Sequence, residues 1–166
     1  MSSRTAFNRL FLVGFGSLCA ATPACAQTDS INMPIQALVI DGCNVSATTM
    51  NFGSLLGATG SPQTTSQVTL LCNLNVAYEI TIDMGQYAQG ANRRMRNNLT
   101  GGYLRYRIYR NAGYSQRWET NQNRRVSGNS GASGIVSHTA YGQITNLAGL
   151  AAGGVYSDTV VVTVSF

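Results

Sequence analysis

Beyond residue 30 the chain alternates. Ile31, Met33, Ile35, Ala37 and Val39 are five apolar residues at strict period two, the spacing that sets every one of them on the same face of a strand. Residues 68–72 and 78–82 follow as compact runs rich in β-branched and aromatic side chains. Leu104, Tyr106 and Ile108 then alternate with Arg105, Arg107 and Tyr109, a core face set against a water face. Residues 141–144 form a shorter run, and 159–166 close the chain in a Val-rich one. None of these runs keeps a 3.6-residue period. Turn-rich stretches over 57–65, 86–102 and 128–134 separate them. Several short strands at this spacing predict an all-β fold, an antiparallel β-sandwich.

The two ends of the pattern belong together. The closing run reaches Phe166 and places no charge, proline or covering element over Val160, Val162, Val164 and Phe166. Soluble proteins normally blunt an apolar edge of this kind. At the other end, 31–39 is a spare strand ahead of Cys43. Burying each of its four large residues is worth about 1.5–3 kcal/mol, so roughly 6–12 kcal/mol as an upper bound. Whole domains are stable by only about 5–15 kcal/mol. Periodicity leaves two uses open: the segment fills a groove in a neighbour, or it completes its own sheet.

The start of the chain reads as an export leader. Arg4 and Arg9 precede an apolar stretch over 10–18, and small residues end in Ala24-Cys25-Ala26, which fits signal-peptidase cleavage after Ala26. The stretch is too short to span a bilayer. Cleavage would leave roughly 140 residues, one domain with its own core. Cys19 and Cys25 would depart with the leader, leaving Cys43 and Cys72 as the only pair. In an oxidising compartment that pair is expected to close. Its loop of roughly 30 residues would then contribute about 3–4 kcal/mol.

Charge and candidate chemistry narrow the function. All eleven basic residues are arginines; without Arg4 and Arg9, nine remain against six acids, a balance of +3. So modest a surplus favours solubility over a nucleic-acid partner. Two cysteines and the single histidine, His138, fall short of a four-ligand metal site, and no cofactor is expected. His138 lies in a Gly/Ser-rich stretch with no neighbouring acid and reads as a solvated loop residue. Asp29, Asp41, Glu79, Asp83, Glu119 and Asp158 are scattered, with no spacing suited to general acid–base work. Asp83 and Asp158 read as strand-end and turn residues. Ser133-Gly134 lacks a nucleophile-elbow pattern. An enzyme is not expected. Arg93-Arg94-x-Arg96 and Arg124-Arg125 read as two solvated loops; their functional alternative is contact with an anion or glycan. Tyr103, Tyr109, Tyr114 and Tyr141 suit sheet-surface packing or, alternatively, sugar binding.

An ordered series of motifs then points to a family. Cys43-x-Val45, Met50-Asn51-Phe52-Gly53, Leu71-Cys72-Asn73 and Tyr78-x-Ile80-x-Ile82-Asp83-x-Gly85 come first. Arg94-Met95, Leu104-x-Tyr106-x-Ile108-Tyr109 and the single Trp118 follow. Thr139-x-Tyr141-Gly142-x-Ile144, Gly154-x-Tyr156-x-Asp158-Thr159-Val160 and the terminal Phe166 complete it. The series resembles the spore coat protein U domain over nearly all of the mature chain. That family includes subunits of archaic chaperone–usher pili and proteins of spore coats.

The resemblance implies an incomplete immunoglobulin-like sandwich, completed by a donor strand. It divides the chain into a leader (1–26), a donor extension (27–40) and the sandwich domain (41–166). Ile31, Met33, Ile35, Ala37 and Val39 would be the donor side chains. Val160, Val162, Val164 and Phe166 would border the acceptor groove, and Cys43–Cys72 would be the disulfide. The implied partners are neighbouring subunits, a periplasmic chaperone and an outer-membrane usher, with no nucleic acid and no stable membrane insertion. The route runs through the periplasm to a pilus or coat at the cell surface, supporting adhesion and biofilm formation. The competing reading is a freestanding secreted sandwich that binds glycans or anionic surfaces.

Overall fold

The computed structural model describes residues 33–37, 42–147 and 153–166. The chain divides into two units, Met1–Ala37 and Leu38–Phe166. Within the first, residues 33–37 have no regular secondary structure, and Met33 and Ile35 are 77% and 83% exposed. Ile31 and Val39, the outer members of the alternating segment, lie outside the described residues.

The second unit is an all-β antiparallel sandwich. Its strands are β1 (Cys43–Ala47), β2 (Gln63–Cys72), β3 (Ala77–Ile82), β4 (Arg93–Asn97) and β5 (Tyr103–Tyr109), then β6 (Val126–Asn129), β7 (Ile135–Asn146), β8 (Tyr156–Ser157) and β9 (Val162–Ser165). A six-stranded sheet has the order β1-β2-β7-β5-β4-β8, and a three-stranded sheet the order β6-β3-β9. Alternation decides which side chains meet between them. Val68 and Leu70 of β2, Tyr78, Ile80 and Ile82 of β3, Leu104, Tyr106 and Ile108 of β5, and Ala140 and Ile144 of β7 are all buried in one core. Trp118 fastens the sheets together: its backbone N–H donates to Ile108 O of β5 and its Nε1 to Ile80 O of β3, both at 2.9 Å. A buried indole needs such a partner, and this one is fully buried.

Three local expectations change. The stretch 86–102 contains strand β4, hidden in the sequence because three of its five residues are arginines. Residues 141–144 lie in the second half of the twelve-residue β7. The closing run pairs as a strand only over Val162–Ser165, after the short β8. Cys43 and Cys72 face one another in the β1–β2 register and are joined as a disulfide.

Candidate functional site

Each sheet ends in a strand with a single neighbour, and the two ends approach each other. Among the described residues β1 is paired only with β2, and β9 only with β3, while β1 and β9 lie close together in space. Beside this close approach a cavity of about 520 Å³ reaches the core, lined by Ala47 at the end of β1 and the 48–52 segment after it, by the 156–160 segment and Val162, and by Val68, Ile82, Ile108 and Ala140. A second cavity of about 780 Å³ extends from it along the 50–58 loop to Leu104, Leu147 and Tyr156. Met50, Phe52, Met95 and Tyr156 line both. The two form one groove with apolar side chains at its floor, beside two strands whose outer edges have no ladder partner among the described residues.

The residues expected to border a groove divide within it. Val160, Val162 and Val164 are half-buried against the core, alternating with exposed neighbours. Val160 and Val162 line the cavity. Phe166 lies beyond the end of β9 and is 60% exposed. Met50, Phe52, Met95 and Tyr156 carry as much of the lining. The first two are an apolar pair at period two, the one signal in the sequence that could have marked them.

Polar groups fix the far end of the groove. Asp158 accepts the Tyr106 hydroxyl at 2.6 Å on Oδ2 and the amide of Gln86 at 3.0 Å on Oδ1. Burial, together with this contact, pushes the Tyr106 hydroxyl far above its usual value, so it keeps its proton and serves as a donor. Asp83 Oδ1 accepts the amides of Gly85 and Val161 at 3.0 and 2.9 Å. Gly85 is required here. Its φ is +81°, and a Cβ would stand 2.1 Å from Asp158 Oδ2. Asp83 and Asp158 are turn residues as expected, and together they also tie the approach to β9 to the exit of β3.

The arginines sort differently from the sequence reading. Arg93 is 2% exposed and belongs to no loop. Its Nε donates to Asp83 O at 2.7 Å, and its Nη2 to Ile82 O at 2.9 Å and Trp118 O at 2.7 Å. Arg93 stands on β4 of one sheet and Ile82 ends β3 of the other, so one buried guanidinium staples the sheets beside the groove. Burial lowers its pKa, against the opposing pull of Tyr106, Glu119, Asp83 and Asp158. Arg94 and Arg96 lie on the opposite, outer side of β4, over the rings of Tyr103 and Tyr87 at 4.0 and 5.9 Å. Arg124 pairs with Glu119, and Arg125 with Glu79. The five arginines therefore do not form one site.

His138 also departs from expectation. It lies in β7, half-buried, with Nε2 2.8 Å from the Tyr78 hydroxyl and its ring edge-on to Trp118. Alternation along β7 turns it inward, and desolvation lowers its pKa. Among the described residues, no helix is long and apolar enough to cross a membrane.

Comparison with known proteins places this arrangement. The chain is similar to a solved structure of the CsuC–CsuE chaperone–tip adhesion subunit pre-assembly complex, from the archaic chaperone–usher Csu pili of Acinetobacter baumannii. The identity is 23% and the TM-score 0.59, over 77% of this chain and 40% of that one. At that identity the likeness is one of fold, and it spans well under half of the matched chain. No curated protein matches. The model of the Spore Coat Protein U domain matches residues 29–163, most of the sequence. The chain belongs to the Spore Coat Protein U domain family.

Proposed function

We propose that this protein is a structural subunit of a pilus-type surface polymer, assembled by strand addition: residues 31–39 of one copy occupy the groove lined by the 47–52 and 156–162 segments of the next. One observation carries the reading. Two unpaired strand edges flank an apolar opening into the core, and this is what an extended segment with alternating large side chains satisfies. Its backbone completes the ladder and its side chains fill the floor.

On this reading residues 1–26 direct export and are removed, 27–40 are the donor extension, and 41–166 are the domain that receives a donor. Before assembly the open groove needs a temporary occupant. The Csu structure is a chaperone–subunit complex, and a periplasmic chaperone followed by an outer-membrane usher would fill that role here. The work of the molecule is mechanical and adhesive, with no catalytic step. Unheated SDS gels of surface-sheared material test the proposal. Wild type should give a ladder that collapses to monomer on heating. A deletion of residues 28–35 and the variant Ile35→Asp, which would bury an unpaired carboxylate, should give none. Polymer at wild-type levels from Ile35→Asp would refute it. A lone monomer band from a wild type that folds by itself would mean that the segment completes its own sheet.

A further inference from the structure

The outer face of the six-stranded sheet carries an arrangement that neither the groove nor the core requires. Arg94 and Arg96 of β4, and Arg105 and Arg107 of β5, all point away from the core, because they alternate with the buried Arg93, Leu104, Tyr106 and Ile108. Arg94 stands directly opposite Arg105 in the register. Like charges in that position cost a sheet stability, and no acid offsets them. Of the four described acids, Glu79 pairs with Arg125 and Glu119 with Arg117 and Arg124, while Asp83 and Asp158 are engaged around Gly85 and Tyr106. Arg105 and Arg107 have no ion pair or side-chain hydrogen bond among the described residues, and Arg107 Nε is buried without an acceptor.

The surroundings narrow the chemistry of what would compensate this charge. Tyr103 is 40% exposed and holds the Arg94 guanidinium over its ring, so both are oriented before anything binds. Across the register from Arg107 stands Gln143. Further along the same face, Gln67, Ser137 and Thr139 form a hydrogen-bonded row, with Gln67 Nε2 donating to Thr139 at 3.0 Å and Ser137 donating to Gln67 Oε1 at 3.1 Å. Arg105 and Arg107 thus stand with Arg94, whose Nε and Nη1 already donate to Tyr87 O and Gln89 Oε1, and with Arg96 at one end of the face; the hydroxyl and amide row lies further along β7, beyond Tyr109 and Tyr141, against which Tyr114 packs. Guanidinium forks match carboxylates, and the hydroxyl and amide row matches a polyhydroxylated chain. Duplex nucleic acid would present phosphates to the arginines but nothing for that row. We propose that this face binds an acidic polysaccharide long enough to span it, carboxylates on Arg94, Arg96, Arg105 and Arg107 and sugar hydroxyls on the Gln/Ser/Thr row beyond the Tyr109–Tyr114–Tyr141 cluster. The site is separate from the groove, so its fate does not depend on how subunits assemble.

Surface-bound full-length chain, titrated with polygalacturonate at physiological salt, tests this. Wild type should bind polygalacturonate and ignore neutral dextran. Arg105→Gln with Arg107→Gln should lose at least about tenfold in affinity, the scale of losing charge-assisted hydrogen bonds, with an unchanged or raised melting temperature as the repulsion is relieved. Arg124→Gln with Arg125→Gln removes the same charge elsewhere and should stay within about twofold of wild type, since screened surface charges act locally. Arg105→Lys with Arg107→Lys keeps the charge and loses the fork, and should also weaken binding. The proposal is overturned by equal loss in both glutamine variants, by wild-type affinity in the lysine variant, by equal binding of dextran, or by tighter binding of a DNA duplex.

Discussion

Arg93→Met would remove the buried staple between the sheets while nearly keeping its length and apolar stem. The guanidinium makes three hydrogen bonds, to the carbonyls of Ile82, Asp83 and Trp118. Hydrogen bonds to charged groups are worth about 1.5–3 kcal/mol each, a gross loss of roughly 5–9 kcal/mol. Against this, methionine no longer has to desolvate a cation, which returns several kcal/mol. The net expectation is a destabilisation of about 3–5 kcal/mol, a large part of what holds any domain together. Trp118 supplies the assay, being the only tryptophan and fully buried, so its fluorescence reports unfolding in urea. With a slope of about 1–3 kcal/mol per molar, the midpoint should fall by roughly 2 M at unchanged slope. Arg93→Lys, with an ammonium in place of the fork, should fall between the two. A midpoint shift in Arg93→Met equivalent to less than about 1 kcal/mol would refute the reasoning, because it would mean that those carbonyls find other donors at little cost.

Two further outcomes follow from single contacts. Cys43→Ser with Cys72→Ser opens a loop with a sequence separation of 29 and should cost about 3–4 kcal/mol, read as a lower urea midpoint that added reductant no longer shifts. For His138, burial holds the folded pKa below its ordinary 6.5. The unfolded chain therefore takes up the proton first as pH falls, so stability present above about pH 6.5 declines through the mildly acidic range. Melting temperatures across that range should show the decline, and His138→Gln should flatten it.

How much could be read beforehand depended on what each strand was made of. β3 and β5 were plain because Tyr78, Ile80 and Ile82, and Leu104, Tyr106 and Ile108, alternate with polar residues, and both strands were found where the alternation lies. β4 was concealed because Arg93 occupies a core position. Its burial is offset by three backbone carbonyls from two distant segments, and backbone acceptors leave no trace in side-chain pattern. His138 misled for a related reason. Its partners, Tyr78 and Trp118, lie 60 and 20 positions away along the chain, and only the sheet packing brings them together. The groove was half legible. Val160 and Val162 showed as an uncovered edge, whereas Met50, Phe52, Met95 and Tyr156 come from three further segments that meet only in the fold. Arg105 and Arg107 were legible as the water face of an alternating strand, whereas Arg94 and Arg96 read as part of a solvated loop; that the two pairs share one face is set by the β4–β5 register, which pairs Arg94 with Arg105.

The position of the disulfide decides how the domain answers to a pull. Cys43 is the first residue of β1, an edge strand, and Cys72 the last of β2, which lies between β1 and β7. Tension arriving from the chain before Cys43 would otherwise peel β1 away from the sheet, breaking its ladder one bond at a time from the loaded end. The covalent link passes that tension into β2 before any β1–β2 hydrogen bond is strained. An interior strand with a neighbour on each side resists by shear, with many bonds sharing the load. An edge strand of the sheet is thereby taken out of the line of force.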